Sequence, residues 1–251
     1  MMAAPITPAN LVTRYGMCGS AVMILAQVAC RNVDYRLKLQ QLKKKYPEKY
    51  FIMDNGACEN EPMSLYAVIH MARQIGVDEI VLPDRIKDPI ATGRLVTAAL
   101  RETIPFNQMV VPHSTEPNEP ARWIDSYLFL STAIRDAGLA KKTVYGIPRY
   151  LGYTNRLLIC DQLEKIETKD TFHLLGLNKY TQEIKSYTRY PFIRSADTCV
   201  PVLQGIRGIA IEPKLTDRSK QAMNYDISAD NFPDITRQNV KLFVEWAENA
   251  G

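Results

Sequence analysis

The stretch Glu79-Ile-Val-Leu-Pro-Asp84 is a short apolar run that ends on an acid, and it decides the fold because the chain repeats the design. Tyr50-Phe-Ile-Met-Asp-Asn-Gly56 is built the same way, with Asn-Gly supplying a turn after the acid. Apolar runs of this length without polar alternation, bounded by turn residues, read as strands buried on both faces. Between the two, Ser64 to Ile75 has helical periodicity and stops at Gly76. Before them, Ala21-Val-Met-Ile-Leu-Ala-Gln-Val-Ala29 reads as another buried strand, followed by a basic amphipathic helix from Val33 to Tyr46. The lysines 43–45 fall at the C-terminal end of that helix, where cations complement its dipole and solvate its end.

Toward the C-terminus the alternation continues. Helices are expected over Ala91–Glu102, Trp123–Ala137, Asn155–Ile166, Tyr180–Tyr187 and Arg237–Asn249. Strands are expected at Met109–His113, Thr143–Ile147, Phe172–Gly176 and Phe192–Asp197, with Gly208–Glu212 as the eighth. Strands alternating with helices imply a parallel sheet, either an open doubly wound sheet or a closed barrel. The interval of about 30 residues, taken eight times, matches a compact (β/α)8 TIM-like barrel. No G-x-G-x-x-G or G-x-x-x-x-G-K-[ST] follows a strand, so the nucleotide-binding open sheet is disfavoured. The expectation is an α/β fold in which residues 1–251 make a single barrel domain.

Composition narrows the setting. Of 251 residues, 46% are hydrophobic and 23% charged, which excludes a disordered or low-complexity chain. Lys and Arg number 31 against 27 Asp and Glu, and an excess of +4 is too small for a purely electrostatic nucleic-acid binder. Five cysteines without a C-x-x-C pair argue against a disulfide framework or a zinc ribbon, and a reducing cytoplasm fits best. Residues 21–29 begin late and contain Gln27, unlike a signal peptide, and no run has bilayer length, so no membrane partner is expected.

In a barrel the chemistry gathers at the C-terminal ends of the strands. Those ends are Asp54, Asp84, His113, Gly146, His173 and Asp197. A single acid there can cap the next helix; three on different strands converge on one mouth, where like charges must share a proton or meet a polar ligand. Asn55-Gly56 is a tight connection, and small residues there also let a planar ligand approach the backbone. No G-x-S-x-G, H-E-x-x-H or Cys/His cluster is present, which leaves carboxylate chemistry at a sugar-like or similar carbon.

The ordered set Asp54-Asn-Gly-Ala, Glu79-Ile-Val-Leu-Pro-Asp84, Val110-Val-Pro-His113, Tyr145-Gly-Ile-Pro148, His173-Leu-Leu-Gly176 and Ser195-Ala-Asp-Thr-Cys-Val-Pro201 resembles the tRNA-guanine transglycosylase superfamily. The closer likeness is to its short phage branch, the DNA 7-deazaguanine transglycosylases (DpdA), over roughly residues 20 to 245. The resemblance implies that Asp197 is the nucleophile at the anomeric carbon and Asp54 the general acid/base. It implies base contacts from Asp84, Asn55, Gly56, His113, His173 and Leu175, and from the backbone of Gly146 and Ile147. His113 stands where the superfamily usually has Gln, and Cys58-Glu59 stand where tRNA enzymes have an aromatic and an amide. The zinc-binding subdomain of the tRNA enzymes has no counterpart after Cys199.

The implied activity is exchange of guanine in DNA for a 7-deazaguanine such as 7-cyano-7-deazaguanine (preQ0), without ATP or metal, in the cytoplasm of an infected host cell if the chain is phage-encoded. Alternatives are a transglycosylase acting on tRNA, a non-catalytic nucleic-acid-binding barrel, and a glycosidase of another barrel family. For the DNA backbone the expected grips are Arg149, Arg207, Lys214 and Arg218, with Lys220 beside them. Arg135, Lys141, Lys142, Arg149 and Arg156 are expected to form a basic strip near the mouth.

Overall fold

The computed structural model describes residues 1–177, 183–211 and 234–249. Eight parallel strands, hydrogen-bonded in the order β1-β8-β7-β6-β5-β4-β3-β2, make a nearly closed (β/α)8 barrel with helices between the strands. In chain order the elements are β1 (Met2–Pro5), β2 (Ala21–Leu25), α1 (Ala26–Arg31), α2 (Val33–Lys45), β3 (Tyr50–Asp54), α3 (Leu65–Ile75), β4 (Glu79–Val81) and α4 (Pro89–Ala99). Then follow β5 (Asn107–Val110), α5 (Pro120–Asp136), β6 (Thr143–Pro148), α6 (Gly152–Lys165), β7 (Thr171–Leu175), α7 (Ile184–Tyr187), β8 (Ile193–Thr198), α8 (Val200–Ile206) and α9 (Asp234–Glu248). No described helix is long and apolar enough to cross a membrane.

Helix starts are set by local chemistry. Asn32, Ser64 and Asp88 cap α2, α3 and α4 by accepting from the backbone N–H three residues on. Pro89 and Pro120 open α4 and α5, where a missing N–H costs nothing. Gly76, at φ +81°, ends α3 in the left-handed conformation.

Two sequence expectations are corrected. The run Ala21–Ala29 is a strand only to Leu25; residues from Ala26 form α1, in which Ala26, Val28 and Ala29 pack into the outer core while Gln27 donates to Glu59. The eighth strand is β1 at the start of the chain rather than Gly208–Glu212. Gly208 adopts φ +72° after α8, and Asn239 of α9 takes the backbone of Ile209 and Ile211, so the 208–211 segment offers no free edge for pairing. Glu212 lies outside the described residues, as do residues 180–182 of the helix expected from Tyr180.

Side chains divide by strand parity. Outward-facing Val22, Ile24, Phe51, Met53, Ile80, Tyr145, Ile147, Phe172 and Leu174 join the helices in the main core. Inward-facing Ala4, Met23, Ile52, Val81, Met109 and Val111 form an apolar plug inside the barrel. Below that plug lies a polar floor: Arg194 grips buried Glu79 at 2.6 and 2.9 Å, Tyr50 donates to Glu79 at 2.9 Å, and Asn107 donates to Tyr50 at 2.9 Å. Above the plug, at the C-terminal ends of the strands, lies a cavity.

Candidate active site

Because strand parity places Asp54 of β3 and Asp197 of β8 inside the barrel, both carboxylates reach the same mouth. They line a cavity of about 340 Å³ together with Asn55, Asp84, His113, Leu175, Arg149, Glu59, Cys58, Tyr150 and the apolar Met23, Val81 and Val111. Sites for small ligands begin at about this size. A second, larger depression lies on the outside of the barrel between α4 and α5, away from these carboxylates.

Asp197 is held at both oxygens: Gly176 N donates to Oδ1 at 3.0 Å, and His173 Nε2 lies 2.8 Å from Oδ2. Gly176 is in turn fixed through its carbonyl, which accepts from Arg156 Nη1 at 2.7 Å. Arg156 is fully buried and paired with Glu183. Asp54 has a different environment. Burial, then the carboxylates of Glu59, Asp84 and Asp197, push its carboxyl well above the usual range, against a long contact from Gly56 N. Glu59, held by Gln27 at 3.4 Å, is also raised, chiefly by burial. Partial desolvation, then the Glu59 and Asp54 carboxylates, raise the Cys58 thiol to about 12, although the residue is exposed at the surface.

Asp84 is oriented from two sides. Asn55 Nδ2 donates to its Oδ1 at 2.7 Å and to Leu82 O at 2.7 Å, while Asn55 Oδ1 accepts from Ala57 N at 2.8 Å. His113 Nε2 lies 2.6 Å from Asp84 Oδ2, and the same ring stacks on Tyr150, with Nδ1 3.3 Å from the phenol oxygen. The Tyr150 hydroxyl completes the group by donating to Ser114 O and accepting from Ser114 N. Thus Asp84 keeps a fixed face toward the cavity.

Of the residues expected at the site, Asp54, Asn55, Asp84, His113, Leu175, Asp197 and Arg149 come together on the cavity wall. Gly56, Gly146, Ile147 and His173 do not line it. Gly56, at φ +80°, shapes the turn, where a Cβ would come within 2.5 Å of Glu61 O. Gly146 makes room for Leu175, whose Cδ1 would lie 2.6 Å from a Cβ there, so Leu175 covers it. Ile147 faces outward into the core, and His173 is buried beneath Asp197.

The expected basic strip is also corrected. Arg156 is internal, and Lys141 and Lys142 immediately precede β6, at the end of the barrel opposite the mouth. Arg135 ends α5 and donates back to Ser131. Arg207 follows α8 and does not line the cavity; Lys214, Arg218 and Lys220 lie outside the described residues.

Sequence reasoning did not single out Tyr150, Ser114 or Ser195 for the site. Tyr150 carries a readable signal, an aromatic just past the Tyr145-Gly-Ile-Pro148 strand end. For Ser195 there is none, since its importance rests on a strand irregularity. Among the described residues no group of three or more His, Cys, Asp and Glu is placed to hold a metal ion. What the arrangement can do is acid and nucleophile work by two differently treated carboxylates. No family model matches the chain, and no curated protein matches it.

Proposed function

We propose that the protein is a base-exchanging transglycosylase that replaces guanine in DNA with a 7-deazaguanine such as 7-cyano-7-deazaguanine. The observation that carries this reading is the contrast between two carboxylates in one cavity: Asp54 pushed toward its acid form, Asp197 held at both oxygens by Gly176 N and the His173 ring. The resemblance of six ordered motifs to the tRNA-guanine transglycosylase superfamily supplies the substrate class.

In the first step an Asp197 oxygen bonds to C1′ of the target nucleotide as the C1′–N9 bond breaks. Asp54 gives its proton to the departing guanine. In the second step N9 of the incoming base forms the new C1′–N bond, Asp197 leaves as carboxylate, and the N9 proton passes to Asp54. Two inversions restore the configuration at C1′. Asp84, held by Asn55 and His113, would accept from the base's N–H groups. A base that left this buried carboxylate unpaired is disfavoured by orders of magnitude. Leu175 would pack on the flat face of the base, and Arg149 at the rim would meet phosphate. The target base must leave its stack to enter, which costs a few kcal/mol in duplex and less in a single strand.

The test incubates the protein with DNA or with tRNA, each in the presence of 7-cyano-7-deazaguanine, followed by nucleoside digestion and mass analysis. Deazaguanine deoxynucleoside from DNA is expected, with no product and no covalent adduct from Asp197→Asn. A wild-type protein that binds DNA and yields no modified nucleoside overturns the reading; product from tRNA alone replaces DNA with RNA as substrate.

A further inference from the structure

Between His173 and β8 the ladder slips: Phe172 pairs with Ile193, but His173 pairs with Ser195, so Arg194 is an extra residue in the strand. Such a bulge breaks parity. Ile193 faces out into the core, Arg194 and Ser195 both turn inward, and Ala196 faces out again. The result is a continuous polar line through the barrel interior, from Glu79 on the floor through Arg194 and Ser195 to His173 and Asp197 at the mouth.

Proton counting along this line fixes its direction. Arginine only donates, so at 3.2 Å Arg194 Nε gives its proton to Ser195 Oγ. The guanidinium has no freedom to turn away, because both of its terminal nitrogens are held by Glu79. Tyr50 also donates to Glu79, and its phenol is raised to about 12 by burial and by Glu79, so it stays a donor. The Ser195 hydroxyl has one proton, and its other close partner is His173 Nδ1 at 2.7 Å. A serine oxygen could also accept from an Nδ1–H, but the Asp197 carboxylate at the other end of the ring, 2.8 Å from Nε2, requires a donor there; the ring proton therefore sits on Nε2, Nδ1 accepts from Ser195, and Nε2–H points at Asp197 Oδ2.

We propose that Glu79, Arg194 and Ser195 are positioning residues that lock His173 in its Nε2–H tautomer, so that the imidazole donates to Asp197 and holds the nucleophile in its attacking orientation. This rests on the reading of Asp197 as nucleophile only for its consequence in catalysis; the tautomer is a property of the folded protein. In the opposite tautomer an Nε2 lone pair would face a carboxylate oxygen, two acceptors would meet, and Asp197 would swing away from Gly176.

The chain has three histidines, His70, His113 and His173, so imidazole nitrogens labelled with 15N can be assigned by comparison with a His173→Gln variant. Long-range 1H–15N correlation spectra of the full-length wild type should show a neutral His173 ring protonated at Nε2. Ser195→Ala should shift it to the Nδ1–H form or to a mixture, and Ser195→Thr, which keeps the hydroxyl, should restore the wild-type pattern. In single-turnover adduct formation with DNA, Ser195→Ala should be slower by about ten- to a hundredfold, as for loss of other outer-shell partners, with unchanged DNA affinity and with rescue by threonine. A wild-type His173 that is protonated at Nδ1 or at both nitrogens overturns the proposal. So does a Ser195→Ala protein whose tautomer and adduct rate are unchanged. A wild type with the Nε2–H pattern but no base exchange upholds the lock and removes the transglycosylase reading, so the two failures are distinguishable.

Discussion

Asp54 sits among three other carboxylates, and that crowding sets when it holds a proton. If it protonates the departing base, adduct formation must fall as pH rises through its elevated folded value. Removing one neighbouring charge lowers that value, so Glu59→Gln should move the alkaline limb of single-turnover adduct formation to lower pH; an unmoved or upward-shifted limb would contradict the assignment. The same crowding costs stability. Between the unfolded value of about 4 and the raised folded one, the native state binds more protons than the unfolded chain, so stability declines as pH climbs through this window. Asp54→Asn should therefore melt higher than wild type at neutral pH, with roughly 2–4 °C for each kcal/mol of relief, and the gain should vanish below about pH 4. The acids themselves were legible in the sequence because each ends an expected strand, Asp54 and Asp84 after an apolar run. What they touch was not: His113 reads as a base contact from its position, yet its ring is held between Asp84 and Tyr150.

At the scale of elements, the turn after β7 is what couples the barrel wall to Asp197. Gly176, at φ +62°, donates its N–H to Asp197 while its carbonyl is tied to Arg156. Gly176→Ala puts a Cβ 3.2 Å from Arg149 Cδ and forces a left-handed alanine, a strain of about 1–2 kcal/mol. Gly76, at φ +81° and ψ +44° at the end of α3, where only Lys43 Cγ at 3.9 Å would meet a Cβ, carries the left-handed strain without a link to the site. Both alanine variants should lose similar stability in thermal melts, but only Gly176→Ala should slow adduct formation; equal rates would show that this turn does not position Asp197. Most strands and helices can be read from the chain, because apolar runs and caps are local signals. Strand parity cannot be read where both faces are buried, since polar alternation is absent, so the outward turn of the Ile147 side chain into the core shows only in the structure. Arg156 counts as a surface cation in any charge sum, yet it is internal through a partner, Glu183, that lies far along the chain.

The molecule as a whole closes around its weakest seam. The hydrogen-bonded order begins at β1 and ends at β2, which run side by side with no hydrogen-bonded ladder between them. Met2–Pro5 is too short and too poor in large apolar residues to announce a strand, so the first stave escapes notice even though Ala3 and Ala4 are fully buried. The seam is bridged instead by Glu248 at the end of α9, whose Oε1 accepts from Ala3 N at 3.1 Å on one side and from Ser20 N at 2.7 Å and Ser20 Oγ at 2.6 Å on the other. Close approach is possible because Gly19 lacks a Cβ, which would lie 2.0 Å from Ala3 O. Glu248→Ala leaves three donors to find new partners at a half-buried joint, at a cost of about 1–3 kcal/mol. Glu248→Gln retains an oxygen in the same place and should lose less than half as much, as read from urea unfolding midpoints. Because Ala4 is the register partner of Asp197, loosening β1 should also reach that carboxylate, and, if Asp197 is the nucleophile, Glu248→Ala should slow adduct formation although it lies outside the cavity. A Glu248→Ala protein with wild-type stability would mean that the seam is closed by packing alone, and one with lowered stability but an unchanged adduct rate would mean that β8 holds Asp197 without help from β1.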